Sequence, residues 1–319
     1  MIVVSFIFLG LGLGLLFQFI YVLYVKKKQR PIGFFTHVGK STVHSIVSGD
    51  GEELVVFLGG NAIGSTWADM YELQKNVSAH AKTVVYERPG YGWSPLTNEK
   101  RTITLLVGEL HNYLLTNFHD FMKMKKIVIV AHSISGLEAL FYAKSYPQFV
   151  KGIVFIDAAS PTFCTHNRPS VPFNFYLLRF LRQVGILNLL LHIPVFFRLF
   201  DERTNTPYFV KNVNRRMLAS HYLNKNALKE RQLMKENGQQ VLSVDLNIPL
   251  EDIRVMICTS EKNPIPNWKK GQLELKAFFK DVEVINFPTN NHMLHHEYPK
   301  EISELISLLL TPASEEVRL

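Results

Sequence analysis

Cysteine is scarce: the 319 residues contain two, Cys164 and Cys258. So few thiols exclude a disulfide framework and a cysteine-built zinc site, and they fit a reducing compartment. Cys258 falls in a strand-like run, VMICT, as a small core residue, whereas Cys164 falls in a polar loop. Charge is missing altogether from residues 2–25, where Ser5 and Gln18 are the clearly polar side chains and Tyr21 and Tyr24 stand near the far end. No basic residue precedes this run and no small-residue cleavage site follows it, which argues against a removable signal peptide. Its length suffices to cross a bilayer. Residues 1–30 therefore read as a retained single-pass membrane anchor, spanning through residues 2–25, with a basic segment behind it. Internal repeats and low-complexity tracts are also absent.

The charges that follow the anchor orient it. Lys26, Lys27, Lys28 and Arg30 crowd its carboxyl end, so that end is expected to stay cytoplasmic and the main domain to face the cytosol. These four account for half of the net charge of +8, which leaves the rest of the chain mildly basic. Attraction of the cluster to anionic lipid explains it, and a nucleic-acid partner is not indicated. Gly10 and Gly14 have the spacing of a helix-pairing face, although glycine is common in spans. The oligomeric state stays open.

Beyond Pro31, short apolar runs alternate with helical patterns. Residues 34–47 read as a β-hairpin, LVVFL at 54–58 as a strand and residues 67–79 as a helix. TVVYE at 83–87 is a second buried strand, RPGYGWS at 88–94 a turn, residues 102–117 a helix and GIVFIDAA at 152–159 another strand. From 161 to 247 no buried strand signal occurs; helical segments replace it, with a very apolar stretch at 173–200 interrupted by Gly185 and Pro194. Strands then resume at 254–260 and 282–287, with helices at 268–280 and 301–310. Alternation of this kind specifies a mostly parallel, doubly wound α/β sheet. The expected organisation is an α/β core at 31–160 and 248–319, with a helical cap at 161–247. Leucine and phenylalanine surplus in that cap would favour an apolar substrate.

One stretch organises the rest, KIVIVAHSISG at 126–136. The β-branched run ends at Ser133, after which Ile134, Leu137, Leu140 and Phe141 fall at helical intervals until Pro147 stops them. A serine is thus held on a strand-to-helix corner, where the first helix amides are free. The small-x-Ser-x-small pattern is weak by itself. Gly59-Gly60-Asn61 adds unobstructed backbone amides after the strand at 54–58, and His292 lies in the loop after the last strand. His132 is expected to pack beside the serine, and His295 and His296 to be surface neighbours of His292.

LVVFLGG with Trp67 beyond it, ERPGYGWS at 87–94, VAHSISG around Ser133, GIVFIDAASP at 152–161 and NNHMLHHEYP around His292 together resemble the α/β-hydrolase superfamily, over residues 34–310. The resemblance implies the α/β-hydrolase fold and an esterase-like or lipase-like activity on a small-molecule acyl substrate, with no metal or organic cofactor. It assigns Ser133 as nucleophile, His292 as general base, and the amides of Ile134 and of Gly60 or Asn61 as the oxyanion hole. The chemistry agrees: a serine hydroxyl needs a base to accept its proton, and the tetrahedral oxyanion needs preorganised donors.

The chain departs from the family's pattern at the third member. Where that pattern has an aspartate in the loop after 254–260, this sequence has Asn263, within TSEKNP. Three alternatives stay open: Asp157 at the end of the preceding strand serves as the acid, Glu261 does, or Asn263 occupies the acid position in a slow or catalytically silent domain that binds a ligand or partner at the membrane. If Asn263 holds that position, Asn263→Asp should raise turnover.

Overall fold

Valine and isoleucine runs set the framework. A computed structural model of the chain describes residues 2–166, 171–244 and 250–311. Helix α1 (Ile2–Lys28) leads into the hairpin of β1 (Phe34–Val38) and β2 (Ser41–Ser48). Then β3 (Leu54–Leu58), α2 (Thr66–Val77), β4 (Lys82–Glu87), α3 (Ile103–Met124), β5 (Ile127–His132), α4 (Ser135–Ser145) and β6 (Val150–Ile156) alternate. Helices α5 (Pro161–His166), α6 (Phe173–Gln183), α7 (Ile186–Leu191), α8 (Pro194–Phe197), α9 (Tyr208–His221), α10 (Lys225–Gln232) and α11 (Met234–Ser243) come before the next strand. The chain closes with β7 (Leu250–Ser260), α12 (Trp268–Glu274), β8 (Phe279–Phe287), α13 (Leu294–Glu297) and α14 (Pro299–Leu310). Parts of the expected cap and its return, 167–170 and 245–249, and the tail from 312, lie outside the described residues.

The eight strands form one sheet in the order β1-β2-β4-β3-β5-β6-β7-β8. β1 and β2 pair antiparallel with each other, β2 pairs antiparallel with β4, and the pairs from β4 through β8 are parallel. Strands β3 and β5 are buried along their whole length, as continuous apolar runs covered on both faces should be. One core layer lies beneath α3 and α4, built on Ile129, Leu140 and Phe155; the other lies beneath α2 and α14, built on Val130, Met70 and Ile306. After β4 the chain returns to the other side of β3 to lay down β5, so the strand order reverses there. In open α/β sheets the crevice beyond the carboxyl ends at such a reversal is where ligands bind.

Several boundaries differ from those expected. Helix α3 continues to Met124, seven residues past 117, across a break at Phe118 (φ −134°, ψ 30°). Helix α12 stops at Glu274 and β8 already begins at Phe279, because residues 275–278 tighten into a 3₁₀ turn that ends the helix. Cys164 is buried on α5 rather than in a polar loop. Burial in apolar surroundings pushes its thiol up to about 12. Gly14 packs within its own chain: a Cβ there would stand 2.5 Å from the Val184 carbonyl oxygen, whereas Gly10 has nothing near it.

Candidate active site

Strand β5 delivers Ser133 to the sheet's carboxyl edge. Its backbone sits at φ 56°, in the left-handed region that L-residues avoid, and three hydrogen bonds hold it there. Ser133 N–H donates to the Ile156 carbonyl at 3.2 Å, and the Ser133 carbonyl accepts from Gly136 N–H at 3.1 Å and Ala159 N–H at 2.8 Å. The small neighbours are explained by close approach. A Cβ on Gly136 would lie 2.6 Å from the Ala159 carbonyl oxygen, and Ser135 turns its hydroxyl back to the Leu58 and His132 carbonyls. Strain of this kind persists only where the surroundings over-determine it, and it concentrates at functional sites.

Asp157 leaves the end of β6 in the same unusual region, φ 38°. It is fully buried. Its Oδ1 accepts from Ser260 N–H at 3.2 Å and Gln272 Nε2 at 2.8 Å, and its Oδ2 from Asn263 Nδ2 at 2.6 Å. The fourth bond joins Oδ2 to His292 Nδ1 at 2.6 Å. On its other side the same ring brings Nε2 to 3.0 Å from Ser133 Oγ. A hydroxyl, an imidazole and a carboxylate therefore stand in a hydrogen-bonded chain, drawn from the ends of β5, β8 and β6.

Asn263 is not in the acid position. The amide donates to Asp157 instead of accepting from His292, and Asn263 Oδ1 accepts from Ile265 N–H at 2.9 Å, which fixes which end of the amide faces the carboxylate. Glu261 is exposed in the turn after β7. The physical reason lies in the sheet: β6 is the strand next to β5, and its last turn aims Asp157 straight across the gap to His292, while the loop after β7 closes behind it.

The glycine loop after β3 lies beside the serine, since a Cβ on Gly60 would come within 3.2 Å of Ser133 Cβ and 2.9 Å of His132 Nδ1. Arg88, buried at the start of the RPGYGWS turn, donates to the carbonyls of Gly59 and Gly60, each at 3.0 Å. In a trans peptide N–H and C=O point opposite ways, so the amides of Gly60 and Asn61 face away from Arg88. Ile134 stands at the amino cap of α4.

The neighbouring histidines are structural. His132 Nε2 donates to the His292 carbonyl at 3.2 Å, and burial pushes its pKa well down. His295 and His296 are not surface residues: on α13 each bonds an oxygen of Asp69, at 3.1 and 3.0 Å. Burial pushes His295 down to about 4 despite that carboxylate. Neutral rings at His132 and His295 add no repulsion to a positive charge forming on His292.

Space at the site is uneven. A cleft of about 660 Å³ borders His292 on a polar side formed by Glu202, Arg203, Asn291 and His296. Beside Ile134, in contrast, the void among Arg88, Leu137 and Glu230 is about 10 Å³, no larger than one water probe. Sequence reasoning missed Gln272 and Arg88. Gln272 gives no signal in sequence, but a charged pair, Glu87-Arg88, closing an apolar strand was a legible sign of buried charge with a task.

Comparison with known proteins bears on the same architecture. The α/β-hydrolase fold family matches residues 53–299. The chain belongs to the α/β-hydrolase family. A curated relative of this hydrolase-fold chain, the uncharacterized protein YbdG of Bacillus subtilis (strain 168), is 29% identical over 113 residues, 35% of this chain. The chain spans about a third of that relative, 34% of its length. Among solved structures, Cfl2 from Burkholderia cenocepacia superposes with a TM-score of 0.64 at 17% identity, over 87% of this chain and 95% of its own. The epoxide hydrolase VrEH1 from Vigna radiata gives 0.64 at 14% identity, over 87% of this chain and 97% of its own. At such identities these two speak for the shared fold, and family membership supports a hydrolase.

Proposed function

We propose that this protein is a membrane-anchored serine hydrolase that cleaves an ester or related acyl bond of an apolar substrate, with its hydrolase domain on the cytoplasmic side. The observation that carries the reading is the relay from Ser133 Oγ to His292 Nε2 at 3.0 Å and from His292 Nδ1 to Asp157 Oδ2 at 2.6 Å. His292 removes the Ser133 proton as Oγ attacks the acyl carbon, and passes it to the leaving oxygen as the acyl bond breaks. Water, deprotonated by the same imidazole, then releases the acid and restores Ser133. Asp157 holds the imidazole in the tautomer that leaves Nε2 free and stabilises the positive ring. The amides of Ile134 and of Gly60 or Asn61 are assigned to the oxyanion.

A silent binding domain drew its force from Asn263 standing in place of an acid. With Asp157 bonded to His292 that reason falls away. Anchoring rests on α1, 27 residues long with a mean hydropathy of 2.3 in its most apolar window and 6% of that window buried. A preference for an apolar acyl group rests on the composition of the cap. The test is a fluorophosphonate probe applied to membranes holding the full chain. A stable adduct on wild-type protein is expected, together with its complete loss in Ser133→Ala and a fall in ester turnover of about six orders of magnitude. No adduct on folded wild-type protein would end the hydrolase reading.

A further inference from the structure

Helix α1 is docked along the cap. Gly14, Gln18, Tyr21 and Val25, four, three and four residues apart, form a single stripe on its surface. Gly14 lies against the Val184 carbonyl, Gln18 Nε2 donates to the Ala219 carbonyl at 2.7 Å, Tyr21 meets the His192 ring edge-on, and Val25 is buried. Residues 2–10, by contrast, are exposed on every side.

Length then becomes decisive. At 1.5 Å per residue, residues 2–10 reach about 14 Å, whereas the hydrocarbon layer is about 30 Å thick and needs roughly 20 helical residues. If α1 crosses, the stripe from Gly14 to Tyr21 must lie within the layer as well, with Val25 near its edge. Whatever packs on that stripe goes in with it.

The outer surface of the cap matches such surroundings. On α6, Phe173, Leu177 and Phe180 point outward, 81%, 46% and 46% exposed. Its arginines point inward, Arg179 donating to the Leu223 carbonyl at 3.3 Å and Arg182 to the Ser220 carbonyl at 2.6 Å. A helix facing water shows the reverse. Leu189 on α7 and Val195 on α8 extend the exposed apolar surface. Lys26, Lys27 and Lys28 are exposed where α1 leaves the cap, at the level suited to anionic headgroups.

We propose that α6, α7 and α8 are immersed in the same bilayer leaflet as the carboxyl half of α1, with lipid chains covering their apolar face. The inference rests on the membrane anchoring proposed above and deepens it: an apolar acyl substrate would reach the cap from the leaflet without passing through water. Gln18, polar in mid-span, is accommodated because its donor meets a backbone carbonyl of the cap rather than hydrocarbon.

Depth-dependent quenching tests this on the full chain in vesicles of phosphatidylcholine and phosphatidylglycerol. A nitrobenzoxadiazole label is placed through Leu189→Cys, Val195→Cys, Ile7→Cys on α1, or Met124→Cys, exposed at the opposite edge of the sheet. The two native thiols are buried and stay unlabelled. Nitroxide lipids should quench the labels at positions 7, 189 and 195 several-fold more than the label at 124. Quenching at 7 with none at 189 and 195 overturns immersion while anchoring stands. A blue-shifted but unquenched label at 189 and 195 also overturns it, and identifies a second copy of the chain as the cover. No quenching at 7 removes the anchor itself and immersion with it.

Discussion

The sheet edge at Ser133 and the outer face of α6 follow opposite rules. At the edge a buried carboxylate, Asp157, is met by four donors, and the apolar residues around it are packed away. On α6 not one residue is buried, phenylalanine and leucine stand in the open, and arginines turn inward to carbonyls. The first arrangement keeps a charge ready in a low-dielectric setting, where unmet polar groups are costly. The second leaves apolar area uncovered and spends its polar groups on the protein's own backbone. One chain thus carries a region where a buried carboxylate is fully met by donors and a region where apolar side chains stand uncovered.

The contrast can be broken at its strong end first. Asp157→Asn keeps the shape but offers His292 an amide, so ester turnover should fall by about four orders of magnitude, with circular dichroism unchanged. Turnover within tenfold of wild type would remove Asp157 from the proposed relay. A matched pair of truncations sharpens the contrast between core and cap. Leu140→Ala, fully buried on the inner face of α4, should cost about 2–5 kcal/mol in urea unfolding. Leu177→Ala, on the outer face of α6, should stay within about 0.5 kcal/mol in detergent. Equal losses would mean that the α6 face is covered by protein. The smaller of the two effects on turnover concerns Asn263. Because its amide donates to Asp157, Asn263→Asp sets two carboxylates 2.6 Å apart and should lower kcat about tenfold at pH 7 rather than raise it. A gain in kcat would restore the acid's place to position 263.

Much of this was legible in the sequence where side-chain pattern and backbone agree. The apolar run ending at Ser133, the glycines after β3 and the histidine after β8 each marked a strand end at the edge where they now meet. The third partner was not legible, because the choice between Asp157 and Asn263 turns on which way a loop closes. No periodicity reports that neighbouring β6 and β7 lay their ends side by side, nor that Asp157 adopts φ 38° to aim its carboxylate. His295 and His296 were misread as surface for a related reason. Their partner, Asp69, lies on α2, more than 220 residues earlier in the chain. Helix α6 showed its apolar surplus in composition, but which face it turned outward required the packing of α1.

The position of Asp157 before the helical excursion bears on how the polypeptide comes to life on the ribosome. Hydroxyl and carboxylate emerge only 24 residues apart, ahead of every cap helix, while the imidazole follows 135 residues behind the carboxylate. A nascent chain can therefore assemble β1 to β6 and still lack the imidazole. The proposed relay closes only once β8 and the loop that carries His292 have followed.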